Sequence, residues 1–125
     1  MLDKKNILIV EDEKDMVGLL TVRLANLGYE VMAGYDGQAG LALAQKYSPD
    51  LIVLDLMLPK LNGYKVCRML KFDEKYKNIF IVIYSARSQE RDKQLADECG
   101  ADAYIAKTSG QEILVDQIKK LLSLQ

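Results

Sequence analysis

Six side chains of this sequence could act on one substrate. Glu11, Asp12 and Glu13 follow the apolar run Ile7-Leu8-Ile9-Val10. Asp55 interrupts the otherwise apolar stretch from Leu51 to Leu58, Ser85 follows Ile79–Tyr84, and Lys107 follows Ala103–Ala106. Each has an ordinary explanation on its own: Asp12 as a helix cap, Ser85 as a turn residue, Lys107 as a solvated lysine. Asp55 resists one, because an unpaired charge among apolar neighbours is costly. Brought together, Glu11, Asp12, Asp55 and Lys107 leave a formal charge of -2 from three negatives and one positive. Carboxylates about 4 Å apart repel by roughly 4 kcal/mol per pair at an effective dielectric near 20. A divalent cation offsets that. Carboxylate oxygens without sulfur or imidazole suit Mg²⁺, with Mn²⁺ able to take its place. Magnesium usually keeps waters and adds a phosphate oxygen, so the pattern points to a phosphoryl ligand.

The elements that must position these residues alternate strictly. Five short apolar runs predict strands: Ile7–Val10, Glu30–Ala33, Leu51–Leu54, Ile79–Tyr84 and Ala103–Ala106. Between and after them, five stretches predict helices. The first runs from Lys14, with Met16, Leu19, Leu20, Leu24 and Leu27 at helical spacing, and Gly28 ends it. Asp36 is placed to cap the second, which reaches about Tyr47. Tyr64 to about Phe72 is the third and Gln89–Cys99 the fourth. Ser109 and Glu112 fit a capping box opening the last. Strands that read as continuous apolar runs are buried on both faces, which argues a parallel sheet in a doubly wound α/β domain. Sites in such sheets form beyond the carboxyl ends of the strands, where all six residues fall.

Composition narrows the chemistry. The 125 residues carry 17 Lys and Arg against 18 Asp and Glu, and no histidine. Net charge of -1 gives no reason to expect nucleic acid or a membrane surface as partner. Without histidine there is no Ser-His-Asp or Cys-His nucleophile, no His-ligated zinc and no phosphohistidine carrier. Two cysteines, Cys67 and Cys99, are too few for a disulfide framework and read as buried free thiols in a reducing compartment. No signal-peptide pattern and no run near the roughly 20 apolar residues of a membrane span is present, so a cytoplasmic location is expected. The acids after the first strand argue against a dinucleotide or flavin phosphate there, and no GxxxxGK[ST] loop exists.

Four motifs in order carry a family resemblance over essentially the whole chain. They are Glu11-Asp12; Asp55-Leu56-Met57-Leu58-Pro59 with Gly63 after it; Ser85-Ala86; and Tyr104-Ile105-Ala106-Lys107. The sequence resembles a response-regulator receiver domain. That implies one domain over residues 1–125 with a flavodoxin-like (βα)5 fold, five parallel strands in the order 2-1-3-4-5. It implies that Asp55 accepts a phosphoryl group from a sensor histidine kinase, a phosphotransfer protein or a small acyl phosphate. Asp12 and Asp55 would ligate Mg²⁺, Glu11 would hold it, and Met57 would add its backbone carbonyl. Lys107 and Ser85 would contact phosphoryl oxygens, and Ser85 and Tyr104 would move as switch residues. Glu13 matches no ligand position and reads as first-turn helix charge. The output would be a changed face of the fourth helix, fifth strand and fifth helix, in a signalling switch rather than an enzyme.

Three readings compete with that one. A pseudo-receiver would bind partners without phosphorylation, but would normally lack an acid, the acceptor or the lysine. An aspartyl-phosphatase would want a second Asp where Met57 stands. A flavodoxin-type redox protein conflicts with the acids after the first strand. The family usually has proline, commonly in a cis bond, where Thr108 follows Lys107. A cis bond before a non-proline costs about 2.5–4 kcal/mol, which leaves that turn open. The run Glu90-Arg91-Asp92-Lys93 reads as a solvated face, with a phosphorylation-dependent dimer surface as its alternative. Met57 and Arg87 stand where side chains could tune phosphoryl lifetime. The kinase, and whether the effector is a separate protein or a fused output domain, are not legible.

Overall fold

The computed structural model describes residues 4–86 and 89–124, so Arg87 lies outside the described residues. The elements run β1 (Asn6–Val10), α1 (Lys14–Asn26), β2 (Glu30–Gly34), α2 (Gly37–Tyr47), β3 (Leu51–Leu54), α3 (Gly63–Lys71), β4 (Phe80–Ser85), α4 (Glu90–Glu98), β5 (Ala103–Ala106) and α5 (Gln111–Leu122). A single 3₁₀ turn, Lys107–Ser109, joins β5 to α5. The strands form one parallel sheet in the order β2-β1-β3-β4-β5. None of the described helices is long and apolar enough to cross a membrane.

Strand side chains alternate between the two faces, so each strand feeds two cores. Ile7, Ile9 and Val53 pack with Leu20 and Leu24 of α1 and Leu114 and Ile118 of α5. Leu8, Val10, Leu54 and Ile81 pack on the other side with Val66 and Leu70 of α3 and Ala96 of α4. Burying each such aliphatic side chain stabilises the fold by about 1.5–3 kcal/mol. Both faces being covered is why these strands read as unbroken apolar runs. β2 is an edge strand, paired only with β1 and mostly half-buried, which explains its weaker sequence signal.

Several local expectations need correction. In α1 the buried residues are Val17, Leu20 and Leu24, while Leu19 is 69% exposed and Leu27 also faces solvent. One residue turns a helix by about 100°, so Leu19 and Leu20 cannot share the buried stripe. Glu13 is the N-cap residue of α1 rather than part of its first turn. The Ser109–Glu112 capping box does not form. Ser109 is consumed by the 3₁₀ turn, which the Gly110 N–H closes onto the Lys107 carbonyl at 3.2 Å. Gly110, at φ 92°, becomes the N-cap of α5, and Glu112 pairs instead with Arg23 of α1. Asp36 caps α2 as expected, accepting from the Ala39 N–H at 2.8 Å. Asn62 does the same for α3, accepting from Lys65 N–H at 3.0 Å.

Candidate functional site

The register of the sheet delivers the acids to one edge. Val10 of β1 stands opposite Leu54 of β3, so the next residue of each strand carries a carboxylate. The ladder continues by one bond on each side. Glu11 N–H donates to the Gly34 carbonyl at 3.0 Å and Asp55 N–H to the Val10 carbonyl at 3.0 Å. Glu11 and Asp55 are thereby pinned by their backbones and buried, whereas Asp12, one residue further out, is exposed. Ser85 at the end of β4 is fully buried and pairs in register with Ala106 of β5, the residue before Lys107. Tyr104 is half-buried and packs against the core under α3 and α4.

One oxygen each from Glu11, Asp12 and Asp55 lies within 4.8 Å of the others. The Lys107 ammonium enters this cluster, 2.5 Å from Glu11 Oε1 and 3.4 Å from Asp55 Oδ2. It does so with all described peptide bonds trans, so the turn carrying Thr108 reaches the site without a cis bond. The remaining oxygens of the two buried acids accept backbone donors. Glu13 N–H reaches Glu11 Oε2 at 2.9 Å, and Met57 N–H reaches Asp55 Oδ1 at 3.2 Å. Met57 itself points its side chain outward, more than half exposed. Beside the acids an open cleft of about 530 Å³ is lined by Asp12, Leu56, Met57, Pro59, Asn62 and Tyr64.

The electrostatics match the geometry. Burial raises the Glu11 carboxyl from 4.5 to about 7, with Asp55 adding to it, despite the opposing effects of Lys107 and the Glu13 N–H. Burial alone would lower the Lys107 ammonium, but the hydrogen bond to Glu11 and the charge of Asp55 outweigh it and raise it. One ammonium does not satisfy three carboxylates. All-oxygen donors at this spacing fit a small hard dication, and magnesium is the fit in kind.

Two features of the site were not read from the sequence. Gly63 is required by close approach, since a Cβ there would stand 2.2 Å from the Asp55 carbonyl oxygen. Its N–H donates to the Leu56 carbonyl at 3.0 Å, which bolts the start of α3 to the loop holding Asp55. Asp92 is the second. It belongs to a run that reads as solvated, yet it is fully buried while Glu90, Arg91 and Lys93 are exposed. Its carboxylate accepts from Gln89 N–H at 3.2 Å and from the Tyr64 hydroxyl at 3.2 Å, joining α4 to α3. The spacing Gln89-x-x-Asp92, from N-cap to third helical residue, is the signal that could have found it.

Known proteins share this fold. The family model for the response regulator receiver domain matches residues 7–119. The chain is 41% identical over 119 residues to the alkaline phosphatase synthesis transcriptional regulatory protein PhoP of Bacillus subtilis (strain 168), covering 94% of this chain and 48% of that protein. It is 39% identical over 116 residues to the DNA-binding dual master transcriptional regulator RpaA of Synechocystis sp., covering 93% and 48%. It thus spans about half the length of these relatives. Among solved structures, a CheY-like receiver domain protein from Methanospirillum hungatei JF-1 superposes with a TM-score of 0.90 at 25% identity, covering 97% of this chain and 95% of that one. The signal receiver domain of a histidine kinase from Syntrophus aciditrophicus does so with a TM-score of 0.87 at 33% identity, covering 95% and 90%.

Proposed function

From the premise that this chain belongs to the response regulator receiver domain family, we propose that it is a cytoplasmic phosphoacceptor switch whose acceptor is Asp55. The observation that carries this reading is the Lys107 ammonium held between Glu11 and Asp55, beside Asp12 at the edge of an open cleft. The donor is a phosphohistidine of a sensor kinase or phosphotransfer protein, or a small acyl phosphate. An Asp55 carboxylate oxygen attacks phosphorus, the bond from phosphorus to the donor breaks, and the donor leaves with the electron pair. Asp55 is suited to this because its position is fixed by the Met57 N–H and by Lys107. Lys107 neutralises charge on the incoming phosphoryl oxygens, and the Ser85 hydroxyl donates to another. Glu11, Asp12 and Asp55, with the Met57 backbone carbonyl, would hold magnesium, or manganese in its place. That ion supplies charge neutralisation and orientation of the phosphoryl group.

The same reading assigns an output. Drawing Ser85 toward a phosphoryl group shifts the end of β4, and the half-buried Tyr104 on β5 responds, biasing a two-state equilibrium of the α4-β5-α5 face. An effector protein, an output domain or a second copy reads that face. Light scattering with and without acetyl phosphate tests the second copy.

The decisive experiment is intact mass after incubation with acetyl phosphate and Mg²⁺, beside Asp55→Asn and a chelator control. Addition of one phosphoryl group in the wild type alone supports the reading. No addition, with magnesium binding intact, refutes it in favour of a phosphorylation-independent interaction module.

A further inference from the structure

Cys67 and Cys99 take no part in the phosphoryl site, yet the fold brings them together. Cys67 lies on the inner face of α3 and Cys99 is the C-cap residue of α4, and both are buried. The Cys67 thiol donates to the Cys99 carbonyl oxygen at 3.4 Å, and the Cys99 thiol donates to the Ala96 carbonyl oxygen at 3.2 Å. Two buried thiols that meet at one helix seam are chemically unlike an isolated buried cysteine.

The pair is also asymmetric. The neighbouring Cys67 side chain leads the effects that hold the Cys99 thiol below its ordinary range. Backbone donors and the Arg68 charge add to it against burial. The Cys99 side chain, with burial, pushes Cys67 up. Cys99 borders a groove of about 110 Å³ between the helices, lined also by Tyr64, Lys65, Arg68, Leu95 and Glu98. A water molecule occupies about 30 Å³ in the liquid, so the groove has room for a molecule the size of hydrogen peroxide next to Cys99.

We propose that Cys67 and Cys99 are a peroxide-reactive pair that closes to a reversible disulfide stapling α3 to the end of α4. The Cys99 sulfur attacks one oxygen of hydrogen peroxide, the O–O bond breaks, and the departing hydroxide takes up the Cys99 proton as water, giving the sulfenic acid. The Cys67 sulfur then attacks the Cys99 sulfur, the S–O bond breaks, and the released hydroxide takes up the Cys67 proton. Two thiols lose two electrons and one peroxide becomes two waters. A thiol reductant reverses the step by exchange.

The test treats the full chain with hydrogen peroxide, then blocks remaining thiols with N-ethylmaleimide under denaturing conditions and measures intact mass. The expected result is a monomer lighter by two hydrogens that takes up no maleimide, and takes up two after dithiothreitol. In Cys67→Ser, dimedone traps a sulfenic acid on Cys99. In Cys99→Ser, Cys67 is trapped far more slowly. Asp55→Asn oxidises like the wild type, which separates this chemistry from the phosphoryl site. Two maleimides on the treated wild type, a disulfide-linked dimer, or over-oxidation of both sulfurs without a cross-link would overturn the proposal. Equal trapping in the two serine variants overturns the role given to Cys99.

Discussion

Glu11→Gln should make the metal-free protein more stable, although it removes a partner of Lys107. A carboxyl raised from 4.5 to about 7 has its charged form disfavoured in the fold by about 3 kcal/mol at pH 8. The sign follows from proton linkage. The folded state holds the Glu11 proton more firmly than the unfolded chain, so Glu11 contributes stability that is full below 4.5 and lost as pH rises through about 7. Glutamine keeps the shape and the acceptor oxygen but never charges. Lys107 retains Asp55 at 3.4 Å, which limits the loss on that side. The pairing with Lys107 is already contained in that shift, so a gain of about 3 kcal/mol at pH 8 is expected. The gain should shrink toward zero near pH 4.5. Urea unfolding in EDTA at low salt, from pH 4.5 to 8.5, measures it, with unchanged m-values showing that the denatured state is unaltered. Added magnesium should stabilise the wild type by mass action, about 2.7 kcal/mol at one hundred times its dissociation constant. It should help the variant less, so the order narrows or inverts. A Glu11→Gln protein less stable than wild type at pH 8 in EDTA, or a difference flat with pH, refutes the reasoning.

The opposite change at the same site, Lys107→Met, should cost about 3 kcal/mol in EDTA at pH 8, because it leaves buried carboxylates without their cation. It should also slow phosphorylation by acetyl phosphate at least tenfold, as read by intact mass over time. Gly63→Ala should destabilise by about 1–3 kcal/mol through overpacking, since its Cβ would sit 2.2 Å from the Asp55 carbonyl oxygen. Its phosphorylation rate should fall with it, and wild-type values for both would show that the α3 junction does not position Asp55. Tyr64→Phe removes one hydrogen bond to Asp92, worth about 1 kcal/mol. Faster amide exchange should appear at the start of α4 and not in α1, and uniform exchange would remove the coupling assigned to that contact.

How much of this was legible in the sequence depends on how local each signal was. Leu51-Ile52-Val53-Leu54 and Ile7-Leu8-Ile9-Val10 announce strands because both sheet faces are covered. The acids and Lys107 announce the site because they stand where apolar runs stop. The caps at Asp36 and Gln89 are local, but the box at Ser109 was a false match. Its residues fit the pattern while the chain spent Ser109 on closing the Lys107 turn. Asp92 was misread for the reverse reason. Its neighbours are solvated, and the tertiary approach of Tyr64 from α3 gives its buried carboxylate a donor beyond its own helix. Gly63 carried no signal beyond its motif, since its need is set by the Asp55 carbonyl passing within 2.2 Å of where a Cβ would stand.

The acids do more than await a ligand, because they also mark the register of the sheet. In a half-buried strand, alternation fixes register, as a one-residue slip exchanges core and solvent faces. β1 and β3 lack that safeguard, being apolar on both faces. A slip of β3 relative to β1 would still pair aliphatic side chains with aliphatic side chains. What it would change is the ends. With Val10 opposite Leu54, Glu11 and Asp55 stand together beyond the last pair, where Lys107 and backbone N–H groups reach them. Slipped one step inward, either carboxylate would enter the covered sheet with no donor, at a cost of several kcal/mol unless it took up a proton. The residues proposed to carry the chemistry therefore also select the pairing that assembles them.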